Sequence, residues 1–393
     1  MPVKTIKFNS LDTLDVKDFL ESDDWKSRSL DQFDNNPKHN RVSVFSFNNL
    51  DLELDNKSSL ELHIPGHVYI MDVNQSFFHS MFDNLGQYLA IKKYFPEVKP
   101  LSMVGDFPYK NDDYLNSNYK KHILDLCGIS VDDIVHYPMY GRITFEKVSF
   151  ISKSSNNILY GILEAAAKLN QELPMDIHWS ETTKQIYVIG RALKDFMLYQ
   201  TMPLSGKRSD KIFLSRKSRS SVFEKNHNLI AHLKENGVTW ELDDTKKMSD
   251  PNGITKTNLD KFLPATPTDN LLEAQYRYMP IDEETLIENY FMHLGYAVVD
   301  VETMPLPEQI AMFAKCTHIA TITGAGSLNS IYLPNGGTFI LLANNTGYKF
   351  YHEDLLTVTM NDPIIVFDKR KVSGIFSARE MLEDLEKNYS DRL

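Results

Sequence analysis

His79 and Asp83 are the residues whose types and spacing best suit acid–base chemistry. In a helix, residues four positions apart are neighbours on one face, and these two share theirs with the small residues Gly86 and Ala90. The spacing predicts an imidazole that is oriented by a carboxylate and faces a cleft, as a general base requires. A His–Asp pair that only supports the structure fits the same spacing.

A strand that runs into two glycines is the sharpest motif, because Gly324 and Gly326 follow the apolar run 319–322 and precede a helix start. Glycines at such a turn let a ligand approach the backbone, and amide groups at a helix N-terminus attract an anion such as a pyrophosphate. The alternative is a tight turn without a ligand. A dinucleotide site is disfavoured, because the third glycine of G-x-G-x-x-G is absent and Asn344 stands where the next strand should end in an acid.

Three cations, Arg216, Lys217 and Arg219, follow the predicted strand 211–215. Ligands bind at the carboxyl ends of strands in open α/β sheets, and Arg216 could offer a bidentate fork to a diphosphate. The alternative is a solvated basic turn, since charge runs usually face water. The position at the carboxyl end of a strand, in the same predicted domain as the glycine turn, supports the phosphate site as much as this alternative, and both stay open.

Other chemistries lack their motifs. The chain has no H-E-x-x-H, C-x-x-C or G-x-S-x-G, which disfavours zinc proteases, thiol-redox proteins and α/β-hydrolases. Two acidic turns, Asp72 with Asn74 and Asp300 with Glu302, could hold Mg²⁺, but such turns are common at strand ends. We therefore predict neither a metal nor a resident cofactor.

Strands alternate with helices along most of the chain, which predicts an α/β protein with two doubly wound parallel sheets. Short edge strands are expected in the first 60 residues. In the first half we expect strands at 67–73, 99–105 and 146–152, and helices at 76–95, 113–128 and 156–173. In the second half we expect strands at 211–215, 238–242, 296–301, 317–323, 338–344 and 364–368, with helices between them.

The predicted organisation has an N-terminal α/β domain, a linker, a second α/β domain and a C-terminal helical segment. The segments are 1–175, 176–208, 209–365 with an insertion at about 244–276, and 366–393. Packing of the C-terminal helix back on the first domain is one option. Ser377 and Glu380 are predicted to cap that helix, with Phe376 and Met381 as a hydrophobic staple.

Composition excludes several classes. The 393 residues suit two or three domains. A net charge of −11 disfavours nucleic acid as a partner, because binding to phosphates needs a basic surface. Cys127 and Cys316 cannot form a disulfide framework and are expected as free thiols. Neither a signal peptide nor a transmembrane segment is predicted, so we expect a cytoplasmic protein of bacterial or viral origin.

These motifs resemble those of glycosyltransferase family 61, which includes O-linked GlcNAc, xylosyl and arabinosyl transferases. The resemblance rests on H-S-M-F-D-N-L at 79–85, on I-F-L-S-R-K at 212–217 and on a long block at 283–302 and 306–334. It extends over residues 65–345, and the long block is its most specific part.

The resemblance implies a GT-B architecture, in which two Rossmann-like domains face each other across a cleft and the second binds a nucleotide-sugar. It also implies an inverting, metal-independent transfer to a hydroxyl of a glycan or protein-linked acceptor, with a UDP-sugar as the favoured donor, in polysaccharide biosynthesis or glycosylation. His79, oriented by Asp83, would be the base. The implied donor-binding residues are Arg216, Lys217, Arg277, Glu308, Thr323, Gly324, Ala325, Gly326, Ser327 and Asn329.

The chain departs from the family pattern in three ways. An insertion separates Arg216 from Arg277, so the basic motif of the family is split between them. Thr323 stands where the family often has a histidine, and we do not expect the membrane anchor of the Golgi members. Glu308 and Gln309 could contact the nucleoside or form a solvated helix start.

Two other functions stay open beside the glycosyltransferase. A nucleotide-sugar epimerase of similar architecture would convert the donor without an acceptor. A non-catalytic glycan-binding or structural module would not bring residues 79, 83 and 216 together in one cleft.

Overall fold

The computed structural model describes residues 3–16, 42–72, 77–105, 118–151, 157–168, 183–199, 209–216, 281–301, 304–322, 324–334, 336–343, 363–367 and 378–393. The chain divides into two compact units, Met1–Thr201 and Met202–Leu393. Each unit contains a sheet with parallel strands, which confirms the α/β class. The predicted insertion at about 244–276 lies outside the described residues.

The described strands of the first unit form one mixed sheet of seven. They are β1 (Val3–Lys7), β2 (Ser10–Asp15), β3 (Ser43–Leu54), β4 (Glu61–Asp72), β5 (Lys99–Val104), β6 (Val135–His136) and β7 (Arg142–Phe150). Their order is β1-β3-β7-β4-β5-β6, and β2 also pairs with β3. Strands β4 to β7 are mutually parallel, whereas β1, β2 and β7 run antiparallel to β3.

This sheet differs from the doubly wound parallel sheet predicted for the first domain. The short edge strands expected in the first 60 residues include β3, which has 12 residues and pairs on both of its edges. Most of its side chains are buried, including Phe45, Phe47 and Leu50. Burial on both faces replaces the alternation that marks a half-exposed strand, so the sequence pattern did not show β3 as a central strand.

The helices of the first unit cover this sheet. Helix α1 comprises Phe77–His79, a π-helical segment Ser80–Gly86 and Gln87–Tyr94; α2 spans Asn118–Cys127, α3 spans Asn157–Lys168 and α4 spans Thr183–Tyr199. Helix α4 lies inside the stretch 176–208 that was predicted as a linker. Its residues Ile186, Ile189, Leu193 and Met197 are at most 1% exposed. Because this spacing follows the helical repeat, they form one apolar face, and α4 packs against α1.

The second unit contains a sheet of five described strands, all parallel. The strands are β8 (Lys211–Leu214), β9 (Ala297–Val299), β10 (His318–Ile322), β11 (Thr338–Ala343) and β12 (Pro363–Phe367), in the order β12-β11-β10-β8-β9. The helices are α5 (Ile281–His293), α6 (Leu306–Phe313), a 3-10 helix (Ala325–Tyr332) and α7 (Ala378–Tyr389). The parallel sheet predicted for this half is thus present.

The C-terminal helix α7 belongs to the core of the second unit. Its residues Ala378, Met381 and Leu385 pack in one cluster with Phe213 of β8 and Phe291 of α5. The sequence raised the option that this helix packs on the first domain. That option is corrected, because the apolar face of α7 covers the sheet of the second unit.

The start of α7 is stabilised from α5, because the backbone N–H of Ala378 donates to the Glu283 carboxylate at 2.6 Å. The predicted cap residue Ser377 and staple residue Phe376 lie outside the described residues. Within the ranges described above, the helices are too short or too polar to cross a membrane.

Candidate active site

The π-helical segment of α1 holds the predicted His–Asp pair at the carboxyl end of β4. His79 directly precedes the segment and Asp83 lies within it. Nδ1 of His79 lies 2.6 Å from Oδ2 of Asp83. The Asp83 side chain is fully buried, while the His79 side chain is 34% exposed. The pair therefore has one end fixed in the interior and the other reachable from solvent.

This geometry defines the chemistry available to His79. An ionised carboxylate only accepts hydrogen bonds, so Nδ1 of His79 carries the proton that it donates to Asp83. The other ring nitrogen, Nε2, then holds the lone pair and is the basic atom. Such an imidazole can take a proton from a hydroxyl, which is the role predicted from the sequence.

Neighbouring residues explain why the segment holds this position. The Asn84 amide makes two hydrogen bonds to the backbone of Asp72 at the end of β4, with Nδ2 donating to the carbonyl at 2.8 Å and Oδ1 accepting at 3.1 Å. The Tyr69 hydroxyl donates to the Asp83 carbonyl. A Cβ atom on Gly86 would lie 2.8 Å from Cγ2 of Ile189. The glycine therefore permits α4 to pack closely on the segment, which is a requirement that the sequence did not reveal.

The second predicted site lies where β8 and β10 end. These strands are adjacent and parallel, with Leu214 paired to Thr321. The strand that follows β10 in the chain, β11, lies on the far side of β10 from β8. The next described strand after β8, β9, lies on the opposite side, beyond β8. Such a switch point opens a crevice at the carboxyl ends of the strands, where α/β sheets bind ligands. Arg216 follows β8 and Gly324 follows β10, so both lie at this crevice.

Arg216 contacts the glycine turn directly. A Cβ atom on Gly324 would lie 2.7 Å from Nη1 and 3.0 Å from Cζ of Arg216. The guanidinium therefore rests against the Gly324 backbone in space that any other residue would occupy. The structure thus brings together two motifs that are separated by more than 100 positions in the sequence.

The 3-10 helix begins immediately after this glycine. Ser327 is 1% exposed. Its N–H and its hydroxyl both donate to the Gly324 carbonyl, at 3.0 and 2.8 Å. Ser327 therefore closes the turn with both donors. The amides of Ala325 and Gly326 are the first two of the helix, and such groups have no acceptor within their own helix. A guanidinium beside helix N-terminal amides can bind the phosphates of a nucleotide.

Glu284 is a residue of this site that the sequence analysis missed. Its Oε1 accepts the backbone N–H of Arg216 at 2.6 Å, and the residue is 4% exposed. The buried face of α5 is formed by Glu284, Ile287, Glu288 and Phe291. Leu286, an apolar residue of the same helix, is 44% exposed. Glu284 and Glu288 share a helix face with the apolar Ile287 and Phe291. This pattern could have identified Glu284, because buried carboxylates are rare without a specific partner.

The other predicted donor residues have less defined surroundings. Glu308 lies in the first turn of α6, half-buried. Gln309 donates to the carbonyls of Val301 and Met304, so its amide supports a loop. Asn329 is 1% exposed, and its Oδ1 has no hydrogen-bond partner among the described residues. Lys217, Arg277 and Thr323, and the side chain of Ala325, lie outside the described residues.

A Ser–His–Glu arrangement also occurs in the first unit. Nε2 of His67 lies 2.6 Å from Oγ of Ser149, and Nδ1 lies 2.8 Å from Oε1 of Glu97. Ser149 is fully buried in the sheet, and its hydroxyl also contacts Ser46 at 2.5 Å. No substrate can reach such a serine, so these residues form a buried hydrogen-bond network across strands.

Metal ligands and cysteine thiols are two other kinds of group that could carry chemistry. The described residues contain no group of three or more His, Cys, Asp or Glu arranged to hold a metal ion. Cys127 and Cys316 are free. Burial raises the pKa of each thiol to about 12, which disfavours the nucleophilic thiolate.

Comparison with known proteins agrees with the resemblance drawn from the motifs. The model of the family Glycosyltransferase 61 matches residues 273–340, which include α5, β9, α6, β10, the glycine turn and the 3-10 helix. The match supports the family resemblance and indicates a glycosyltransferase. A search of curated proteins found no match.

Proposed function

We propose that this chain is an inverting, metal-independent glycosyltransferase of the GT-B class. It transfers a sugar from a nucleotide-sugar, with a UDP-sugar favoured, to a hydroxyl of a glycan or protein-linked acceptor. The family match over residues 273–340 supports the reaction class. The observation that carries the proposal is the contact of the Arg216 guanidinium with Gly324 at the switch point of the second sheet.

The donor binds through its diphosphate. Arg216 is held by its backbone to buried Glu284, and its guanidinium lies against Gly324, which directly precedes the 3-10 helix. When the bond between the anomeric carbon and the diphosphate oxygen breaks, negative charge develops on that oxygen. A guanidinium and helix N-terminal amides stabilise this charge, which is the task that a metal performs in other transferases. We assign Lys217, Arg277, Thr323, Asn329 and Glu308 to the same donor site.

The acceptor is activated by His79. Its Nε2 takes the proton of the acceptor hydroxyl while that oxygen attacks the anomeric carbon. Asp83 stabilises the imidazolium that forms, because its carboxylate already accepts the Nδ1 proton at 2.6 Å. A single displacement places the new bond opposite the leaving group, so the anomeric configuration inverts.

Thermal unfolding of the purified chain with UDP, GDP, CMP, TDP and their common sugars tests the donor site, with and without EDTA. A ligand at a hundred times its dissociation constant adds about 2.7 kcal/mol to the free energy of unfolding, which is easily measured. We expect stabilisation by one nucleotide family, unaffected by EDTA and lost in Arg216→Ala. No stabilisation by any of them would contradict the proposal. Conversion of a nucleotide-sugar without an acceptor would identify an epimerase instead.

A further inference from the structure

An open cleft lies at the end of the first sheet where β4 and β7 begin, and we call it the amino-end cleft. Its volume is about 420 Å³, within the range of about 300 to 1,000 Å³ that small-molecule sites occupy. It is lined by β1, β3, the first residues of β4 and β7, and the loop 55–60. The side chains of Glu53, Arg142 and Glu61 are 45%, 48% and 68% exposed. A ligand can therefore reach the charged groups of the cleft from solvent.

A row of polar side chains crosses four strands along this cleft. Strand pairing places Glu53 opposite both Thr5 and Arg142. Arg142 is also opposite Glu61. Directly opposed residues of neighbouring strands project from the same face of a sheet, so these four side chains lie side by side. Polar groups from four strands therefore share one surface.

The loop between β3 and β4 forms a fixed wall of the cleft. A Cβ atom on Gly141 would overlap the carbonyl oxygen of Ser58, so the glycine permits the loop to lie against the start of β7. The Ser58 hydroxyl donates to the Met139 carbonyl at 2.7 Å. The Asn56 amide donates to the Tyr140 carbonyl at 2.8 Å. Because the wall is preformed, a ligand binds without the entropic cost of ordering this loop.

Arg142 and Glu61 supply a donor and an acceptor next to each other. Two guanidinium nitrogens, Nε and Nη2, donate to the Asp51 carboxylate at 2.9 and 2.8 Å, which fixes the plane of the group. The third nitrogen, Nη1, lies 3.6 Å from Oε1 of Glu61, which is longer than a normal hydrogen bond. A hydroxyl group can accept from Nη1 and donate to the Glu61 carboxylate. The pair is therefore arranged to bind a hydroxyl group.

The charges of the cleft favour a neutral ligand. Among the described residues that line it, the cations are Lys7 and Arg142, and the carboxylates are Asp51, Glu53 and Glu61. One of these carboxylates is paired from outside the cleft, because Lys4 donates to Glu53 at 2.7 Å. Positive and negative charges therefore balance, which favours neither an anion nor a cation.

A sugar unit of a glycan meets these requirements. Its hydroxyl groups each donate and accept, and its ring also presents C–H groups. Leu60 lines the cleft and is 58% exposed, so it offers an apolar contact to such a ring. Ligand sites commonly combine apolar contacts with a few placed polar groups, and the cleft has both.

The cleft is remote from the proposed base. Glu61 begins β4 at the cleft, whereas Asp72 ends β4 shortly before the helix of His79. At about 3.3 Å per residue, the 12 residues of β4 separate its two ends by about 36 Å. A sugar in the cleft is therefore a different unit from the one that reacts.

We propose that the amino-end cleft is a second carbohydrate site, which binds a neutral sugar unit of a glycan through Arg142, Glu61 and Leu60. It holds the glycan on the enzyme while another unit of the same chain reaches His79. Binding depends only on the cleft, whereas the identification of this glycan as the acceptor rests on the proposed glycosyltransferase function.

Calorimetric titration of the full chain with neutral tetrasaccharides of xylose, glucose, mannose and galactose tests the site. At least one should bind the wild type, and Glu61→Ala and Arg142→Lys should each weaken it about tenfold, the effect of one lost charge-assisted hydrogen bond. Asp55→Ala is the matched control, since Asp55 is an exposed acid of the same loop outside the lining, and it should bind as the wild type does.

Three results would overturn the site. They are no tetrasaccharide binding to the wild type, equal binding by the wild type and Glu61→Ala, and tighter binding of tetragalacturonic acid than of any neutral tetrasaccharide. Because Glu61 is largely exposed and its nearest ion pair is 3.6 Å long, Glu61→Ala should fold normally.

Transfer rates test the role of the site and separate it from the proposed function. In Glu61→Ala, the KM for a polysaccharide acceptor should rise about tenfold relative to the KM for a methyl glycoside, which is too short to occupy both places. Equal changes for both acceptors would exclude the holding role. If tetrasaccharides bind through the cleft but no sugar is transferred, the carbohydrate site stands and the glycosyltransferase proposal fails. If transfer occurs and Glu61→Ala binds tetrasaccharides as the wild type does, the site is wrong and the transferase proposal stands.

Discussion

The two units present their candidate sites by different means. In the first unit, the candidate base is a single side chain: His79 is held by a carboxylate that is fully buried in a π-helical segment. In the second, the candidate phosphate site depends on the backbone as well as on a side chain, because a glycine turn leaves the space in which the Arg216 guanidinium lies. Both sites follow parallel strands at their carboxyl ends, so similar sheet edges support opposite strategies.

This difference predicts that the two candidate sites respond to different kinds of substitution. The first site should respond to the loss of one titratable group and tolerate small changes in its surroundings. The second should respond to one added methyl group, because the guanidinium and a Cβ atom compete for the same volume. Substitutions in the two units can therefore separate catalysis from donor binding.

The largest effect is expected for His79→Ala. Removal of a general base lowers kcat by about 10²- to 10⁴-fold. Asp83→Asn should also lower kcat, because the amide cannot stabilise the imidazolium as a carboxylate does. Initial rates of sugar transfer measure both variants, and nucleotide stabilisation should stay at the wild-type level. His63→Ala, at an exposed histidine of β4, is the control and should leave the rate unchanged. Wild-type transfer by His79→Ala would exclude this residue as the base.

Gly324→Ala should give the next largest effect, in donor binding rather than in catalysis. The added methyl group displaces the Arg216 guanidinium, and the loss of a charge-assisted hydrogen bond, about 1.5–3 kcal/mol, weakens nucleotide binding at least tenfold. Calorimetric titration with the nucleotide that stabilises the chain measures this change.

Two further variants sharpen this prediction. Gly324→Ala combined with Arg216→Ala should bind as weakly as Arg216→Ala alone, since both remove the same contact. A Cβ atom on Gly326 would meet protein atoms only at 3.6 Å or more, so Gly326→Ala should fold normally. If Gly326→Ala also weakens binding, the phosphates approach that residue. If Gly324→Ala binds as the wild type does, the guanidinium does not hold the donor.

The sequence predicted where the candidate residues lie better than it predicted the elements that support them. The strand-to-glycine motif and the basic residues after β8 were recognisable because strand ends and glycine turns have local signatures. Helix α4 was missed because the apolar run around Ile186 and Ile189 is short and continuous, and such a run does not distinguish a helix from a strand. The π-helical segment around Asp83 packs against α4, and no local sequence pattern encodes that contact.

Glu284 shows the same limit in the second unit. Its contact depends on the backbone N–H of Arg216, which is distant in sequence, whereas the apolar Leu286 of the same helix is exposed. Helical periodicity identifies a buried face only when the buried residues are apolar. Where a carboxylate is buried for a polar contact, the pattern points to the wrong side of the helix.

Glu284→Gln is expected to give a smaller effect than the changes at residues 79 and 324. Replacing a buried carboxylate that accepts a backbone N–H should lower the free energy of unfolding by about 1 kcal/mol and weaken nucleotide binding, because Arg216 is less firmly held. Glu283→Gln is a matched control on the same helix, since its carboxylate accepts the N–H of Ala378 at the start of α7. It should lower stability similarly without changing nucleotide affinity. Equal loss of affinity in both variants would show that Glu284 acts only on stability.

The smallest expected effect concerns a histidine that neither site uses. Burial lowers the pKa of His67 below its ordinary value of 6.5, although Glu97 acts in the opposite direction. The folded chain therefore binds this proton less readily than the unfolded chain does. Stability is then lost as the pH falls from above 6.5 towards the lowered pKa, by at most about 1.4 kcal/mol per pH unit for one proton.

Unfolding by guanidinium chloride at pH values between 7.5 and 5.5 measures this loss. The free energy of unfolding should decrease less with falling pH in His67→Gln than in the wild type. In the second unit, burial also lowers the pKa of His318. His318→Gln should therefore reduce the pH dependence in the same direction, which would show that both units bury neutral imidazoles away from their sites. An unchanged slope in His67→Gln would mean that the His67, Glu97 and Ser149 network accommodates the charged imidazole, with Glu97 offsetting the cost of burial.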